Sequence, residues 1–240
     1  MPLKSVFSLL AFLLLIACNK KLEQPTTVKE LTAPPSLTAF KLPPGGSTSI
    51  IDFENGRRLE TYKKDTSYYV EGDIILVPAQ IEQLKKINSL NTRSVINSYV
   101  NQWKDGVVPY VINGAFSMND RNTILNAVYN WETNTTINLV ERTPENAAKY
   151  PDFVEIVPAW GNAANIGKIG GHQYIQLLVD PVYGVHLTSV THEIGHVLGF
   201  FHEQSRADRN NFITINWSNI QPSAQHNFLT WDQQGLQGLD

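Results

Sequence analysis

The chain has 240 residues, 42% of them hydrophobic and 17% charged, enough to bury one good core with a further segment in front of it. A net charge of -3 removes the electrostatic case for nucleic acid as a partner, and the single cysteine, Cys18, excludes an internal disulfide and a thiolate metal cluster. Histidine is the anomaly, because five of the six residues lie from His172 to His202 inclusive.

At the amino terminus Lys4 is followed by an apolar run from Val6 to Ala17 and then Cys18. Such a run is too short to span a bilayer and suits the core of a signal peptide. Leu15-Ile16-Ala17-Cys18 resembles a bacterial lipobox, which implies a leader at 1–17 and lipid chains on Cys18. Those chains would hold the protein on a membrane surface without spanning it. Asn19 after the cysteine favours the outer membrane by similarity to enterobacterial sorting, so the expected location is the cell envelope. A buried hydrophobic cysteine in an uncleaved helix is the alternative. Residues 18–49 are poor in large apolar side chains and carry Pro25, Pro34, Pro35, Pro43, Pro44, Gly45 and Gly46, which reads as a flexible tether.

Residues 50–93 change character. Tyr62, Tyr68, Tyr69, Val70 and Ile74 to Val77 form β-prone runs, and Ile81, Leu84 and Ile87 follow at helical spacing. Glu71-Gly72-Asp73 suits a glycine turn between two strands. Asn91-Thr92-Arg93-Ser94 then places one basic residue in a polar stretch.

Beyond Ser94 strand and helix patterns alternate. Val107 to Ile112 reads as a strand, and Ser117-Met118-Asn119-Asp120 is spaced like a capping box, followed by Ile124, Ala127, Val128 and Trp131 on one helical face. Thr136 to Val140, Asp152 to Val157 and Tyr174 to Val179 read as short strands. Trp160 to Gly171, with Gly161, Gly167, Gly170 and Gly171, reads as loop. A second helix is expected from about Val185 to Leu198, its Val190, Ile194 and Val197 facing the sheet. The fold class is α+β, a mixed twisted sheet with one backing helix and one further helix carrying the histidines.

That second helix leads into His192-Glu193-Ile194-Gly195-His196-Val197-Leu198-Gly199-Phe200-Phe201-His202. His192 and His196 are four apart and stand one turn above each other, so both reach one cation, while Glu193 lies about 100° around the helix. Gly199 can end the helix in the left-handed conformation and let the backbone return His202 as a third ligand. Three imidazoles at this spacing point to one zinc ion. His172, His186 and His226 read as surface or element-end residues.

The run HEIGHVLGFFHEQSRADRN resembles the extended signature of the astacin family of zinc metalloendopeptidases, HExxHxxGFxHExxRxDR, including Glu203, Arg206, Asp208 and Arg209. Asn210 stands where the family usually has Asp. The resemblance implies a metzincin-like upper subdomain over residues 94–240, substrate pairing along the sheet edge near 160–171, and peptide-bond hydrolysis in proteins. Three neutral imidazoles leave zinc an open position for water, whose pKa falls to about 7 in such sites, and Glu193 is placed to act as general base and acid. Tyr69-Val70-Glu71-Gly72-Asp73-Ile74 resembles the FEGD motif of astacin pro-segments, which implies a zymogen whose Asp73 occupies the zinc. Counting back from Trp103, which leads into a Gly-Val-Val-Pro-Tyr strand, implies activation by a protease cutting after Arg93, with Glu203 a structural residue that receives the new amino terminus. Metzincins continue to a Met-turn, in astacins an SxMHY-like phrase whose Tyr reaches the zinc, yet no Met follows Met118 and no Tyr follows Tyr183. The lower subdomain is therefore expected to be missing. Two readings stay open, a zinc endopeptidase seen as an incomplete copy and a truncated, catalytically weak zinc-binding lipoprotein that serves as an interaction module.

Overall fold

Alternation of buried and exposed side chains builds most of the sheet. The computed structural model describes residues 42–54, 56, 58–89 and 100–234, so the leader, Cys18, the tether up to residue 41 and the Arg93–Ser94 step lie outside it. Nine strands are described: β1 (Ser47–Asp52), β2 (Arg58–Lys64), β3 (Ser67–Val70), β4 (Ile74–Leu76), β5 (Val107–Ile112), β6 (Asn138–Glu141), β7 (Phe153–Ala159), β8 (Ala163–Asn165) and β9 (His172–Leu178). They form one sheet in the order β1-β2-β3-β4-β8-β9-β7-β5-β6. The first four strands make an antiparallel meander, and β9, β7, β5 and β6 run parallel to one another. The join between these halves is β4 beside β8, in parallel register with Ile74 opposite Ala164 and Ile75 opposite Asn165.

Among the described residues three α-helices accompany the sheet: α1 (Pro78–Ser89), α2 (Met118–Asn134) and α3 (Leu187–Leu198). The expected capping box is present at α2, where Ser117 Oγ accepts the Asp120 N–H and Asp120 Oδ2 accepts the Ser117 N–H, both at 3.2 Å. Asp120 reaches further, its Oδ1 accepting the Val185 N–H at 2.8 Å and so fixing the turn that feeds α3. Along β5, β7 and β9, Val108, Tyr110, Ile112, Val154, Ile156, Ile175 and Leu177 alternate inward. Over them pack Ile124, Ala127 and Val128 of α2 and Val190, Ile194 and Val197 of α3, at the helical spacing read from the sequence.

A second apolar cluster joins the early meander to the later chain. Ile51, Phe53, Leu59, Val70, Ile74, Leu76, Ile81 and Leu84 bury against Val100, Ile166 and Trp231. Gln80 reinforces it, its Oε1 accepting the Val77 N–H at 3.0 Å and its Nε2 donating to the Ile166 carbonyl at 3.1 Å.

The differences from expectation are local. β1 begins at Ser47, inside the stretch read as tether, and the other strand and helix ends move by one or two residues. The larger difference is β8, which lies within the stretch Trp160 to Gly171 read as loop. Ala163-Ala164-Asn165 has little intrinsic strand preference, and it is extended because partners on both sides pair with it.

Candidate metal centre

The helix α3 is held by its backbone before it holds anything itself. Trp131 Nε1 on α2 donates to the Thr191 carbonyl at 3.0 Å, and Trp103 Nε1 donates to the Val197 carbonyl at the same distance. The second bond satisfies one of the carbonyls that a helix end leaves without an intrahelical partner. Gly199 then takes a left-handed φ of 104°, its N–H returning to His196 O at 2.8 Å, and Phe200 N–H returns to Gly195 O at 3.0 Å. Gly167 packs beside this turn with φ 62°, donating to His196 O, and a Cβ there would lie 2.5 Å from Val100.

The reversal at Gly199 brings His202 back to His192 and His196, and Asp73 enters from 119 residues upstream. His192 Nε2 lies 3.2 Å from Asp73 Oδ2, His202 Nε2 3.2 Å from Asp73 Oδ1, His196 Nε2 3.7 Å from Asp73 Oδ1, and His202 Nε2 3.3 Å from His192 Nε2. A tetrahedral ion with bonds of about 2.0–2.1 Å needs ligand atoms about 3.3–3.4 Å apart, so this cage has the right size. The tautomer fits as well. His196 Nδ1 faces the Phe200 carbonyl at 2.7 Å and must carry the proton, which leaves the Nε2 lone pair for a cation. That buried Nε2 and Asp73 Oδ1 have no hydrogen-bond partner, as expected of atoms placed for a metal. Among the described residues, Asp73, His192, His196 and His202 form the group able to hold one ion.

Asp73 follows the turn between β3 and β4, where Glu71 adopts φ 52° and Gly72 φ 95°. The glycine turn and the carboxylate at the cage are thus one feature. Burial pushes the Asp73 carboxyl up, but the imidazoles of His192, His196 and His202 outweigh it and hold it far below the usual carboxylate range. His202 lies between two carboxylates, with Asp73 at Nε2 and Glu71 Oε2 2.7 Å from Nδ1. Burial favours its neutral form, yet the two carboxylates prevail and lift its pKa to about 10. A cation in the cage would take the place of that proton. Glu193, 1% exposed, has its carboxyl pushed well above the ordinary range by burial and then by the charge of Asp73, and its Oε2 has no partner.

Sequence reasoning missed Glu71 and Gln234. Glu71 is buried, and its Oε1 accepts a hydrogen bond from Gln234 Nε2 at 2.8 Å. Glu203 is 80% exposed at its side chain and lies 3.4 Å from Arg206 Nε. Arg206 forks onto Asp208 at 2.9 and 3.1 Å, while buried Arg209 donates to the carbonyls of Gln204 and Phe228, so these signature residues shape the turn after His202. His172 opens β9 and contacts Glu155, His186 precedes α3, and neither joins the cage. His226 lies in the 3-10 turn Pro222–Phe228, also outside it.

The chain is similar to zinc metalloproteinase nas-12 of Caenorhabditis elegans, 34% identical over 163 residues, covering 66% of this chain and 40% of that protein. It is similar to zinc metalloproteinase nas-4 of the same organism, 30% identical over 174 residues, covering 72% and 52%. Among solved structures it is similar to high choriolytic enzyme 1, a hatching enzyme zinc-protease from Oryzias latipes, at 32% identity and a TM-score of 0.46, covering 55% of this chain and 63% of that one. The chain thus spans 40% and 52% of the two curated relatives. Residues 95–240 match the family model of the astacin peptidases, and the chain belongs to that family.

Proposed function

We propose that the protein is a zinc-dependent endopeptidase, made as a zymogen in which Asp73 holds the metal site closed. The observation that carries this reading is the gathering of three imidazole Nε2 atoms and one distant carboxylate into a cage of tetrahedral size. A zinc ion bound there supplies Lewis acidity toward the scissile carbonyl and lowers the pKa of a nearby water to about 7. The remaining steps belong to side chains. His192, His196 and His202 bind as neutral ligands and Phe200 O keeps the His196 tautomer. Glu193 takes the proton of the attacking water as its oxygen bonds to the carbonyl carbon, and returns that proton to the amine nitrogen as the C–N bond breaks. A base must be ionised to do this, and Asp73 is one of the two causes that push Glu193 toward its protonated form. Departure of Asp73 therefore both opens the cage and favours the working state of Glu193.

The wider setting follows the same reading. Protein or peptide chains are the substrates, a protease cutting after Arg93 starts activation, Glu203 has a structural role beside the site, and lipid on Cys18 keeps the precursor at the cell envelope. The test uses the full chain. Glu193→Gln should keep one zinc per chain while casein hydrolysis after activation falls by at least about 10³-fold, and Asp73→Ala should raise hydrolysis by the uncut chain. Normal hydrolysis by Glu193→Gln would sink the assignment of the base.

A further inference from the structure

We infer that the segment 47–89 is a separable partner of the remaining chain: after a cut between residues 89 and 100 it stays seated as a noncovalent inhibitor instead of leaving. This rests on the zymogen reading above and adds a surface and its occupant. The occupant is this chain's own meander with α1.

Among the described residues, the contacts that seat it join residues 69–84 to residues 100–234, on the two sides of the cut. Backbone pairing comes first. The Ala164 N–H donates to Asp73 O at 2.9 Å and the Ile166 N–H to Ile75 O at 3.3 Å, so the segment adds a strand to the edge of β8. Side chains extend the seam. Gln176 Nε2 donates to the Tyr69 hydroxyl at 3.2 Å, Gln80 Nε2 to Ile166 O at 3.1 Å, and Gln234 Nε2 to Glu71 Oε1 at 2.8 Å. Beneath the seam, Ile74, Leu76, Ile81 and Leu84 share one core with Val100, Ile166 and Trp231. Departure of the segment would bare Ile166, now 0% exposed, together with Trp231 and an unpaired strand edge. The segment also carries its own order, since β1 pairs with β2 over six residues and β2 with β3 over three.

A covalent link between two docked pieces raises their effective concentration but adds no contact. Cutting it leaves the pairing with β8 and the shared apolar core in place. The first product of activation is accordingly a two-piece complex that is still latched, and turnover begins when the segment is degraded or displaced from β8.

The experiment uses the full chain with residues 91–94 replaced by the recognition sequence of a site-specific protease. After complete cutting, shown by two bands on a denaturing gel, the sample is run on a native sizing column at about 10 μM. Both pieces should elute together at the volume of the uncut chain, and peptide hydrolysis should stay near the uncut level. Separation of the pieces on the column would overturn the inference and leave the latch standing, whereas hydrolysis by the uncut wild-type chain would overturn the latch. A second arm carries Asp73→Ala. Strand pairing and the shared core should keep its pieces together, and separation in that arm alone would show that the metal ligand holds the segment, contradicting a seat built on the seam with β8.

Discussion

Glu71 and Asp73 grip His202 from opposite sides, and the two carboxylates stand two residues apart on one turn. A histidine ligand whose second nitrogen bonds a carboxylate has its ring fixed and its basicity raised, and loss of such a partner costs about 10–100-fold in metal affinity. Glu71→Ala should therefore weaken zinc binding by the uncut chain by about that factor in competition with a chromophoric chelator, and Glu71→Gln should weaken it less. Equal affinity in all three would remove Glu71 from the site. Of these residues the histidines were readable as ligands from their spacing, whereas Asp73 was read as one only through the resemblance of its motif, its own residues suggesting a glycine turn. The role of Glu71 was not legible, since it stands in the same motif but its partner His202 is 131 residues away and nothing local announces that contact.

The metal helix depends on two tryptophans that its own sequence does not contain. Trp103→Phe keeps the apolar bulk but orphans the buried Val197 carbonyl, which should cost about 1–3 kcal/mol and lower Tm by several degrees. An unchanged melting curve would show that water satisfies that carbonyl. The loop before β9 is tied differently, by Asp152, whose carboxylate accepts the Gly171 N–H at 2.6 Å and pairs with Lys168 at 2.6 Å. The Lys168 ammonium and then the Gly171 N–H hold its carboxyl below the ordinary range. A depressed carboxylate adds stability that is present above its unfolded value of about 3.9 and fades as the pH falls through its lower folded value. Asp152→Asn should thus cost about 0.5–1 kcal/mol at neutral pH in urea titrations, with the gap to wild type closing below about pH 3. A gap that persisted at low pH would assign the loss to shape and not charge. At this scale α2, α3 and the central strands were legible from apolar period and capping residues, whereas β8 was hidden because tertiary pairing, not propensity, extends Ala163-Ala164-Asn165.

Across the whole molecule, residues 47–76 supply four of the nine described strands of the sheet, and the proposed latch is built on that pairing. The α+β class and the two-helix layer over a mixed sheet followed from pattern and resemblance, but the parallel seam of β4 on β8 did not, because it joins strands about ninety residues apart. That seam explains how Asp73 is delivered to the histidines with so little freedom, being the residue before the strand that pairs. The most direct test of the central claim is zinc X-ray absorption on the full, uncut chain. One zinc should be found with three imidazole nitrogens at about 2.0–2.1 Å and a carboxylate oxygen at about 2.0–2.2 Å, the oxygen shell changing in Asp73→Ala. A chain that binds no zinc, or a zinc shell without three imidazoles, would contradict the claim.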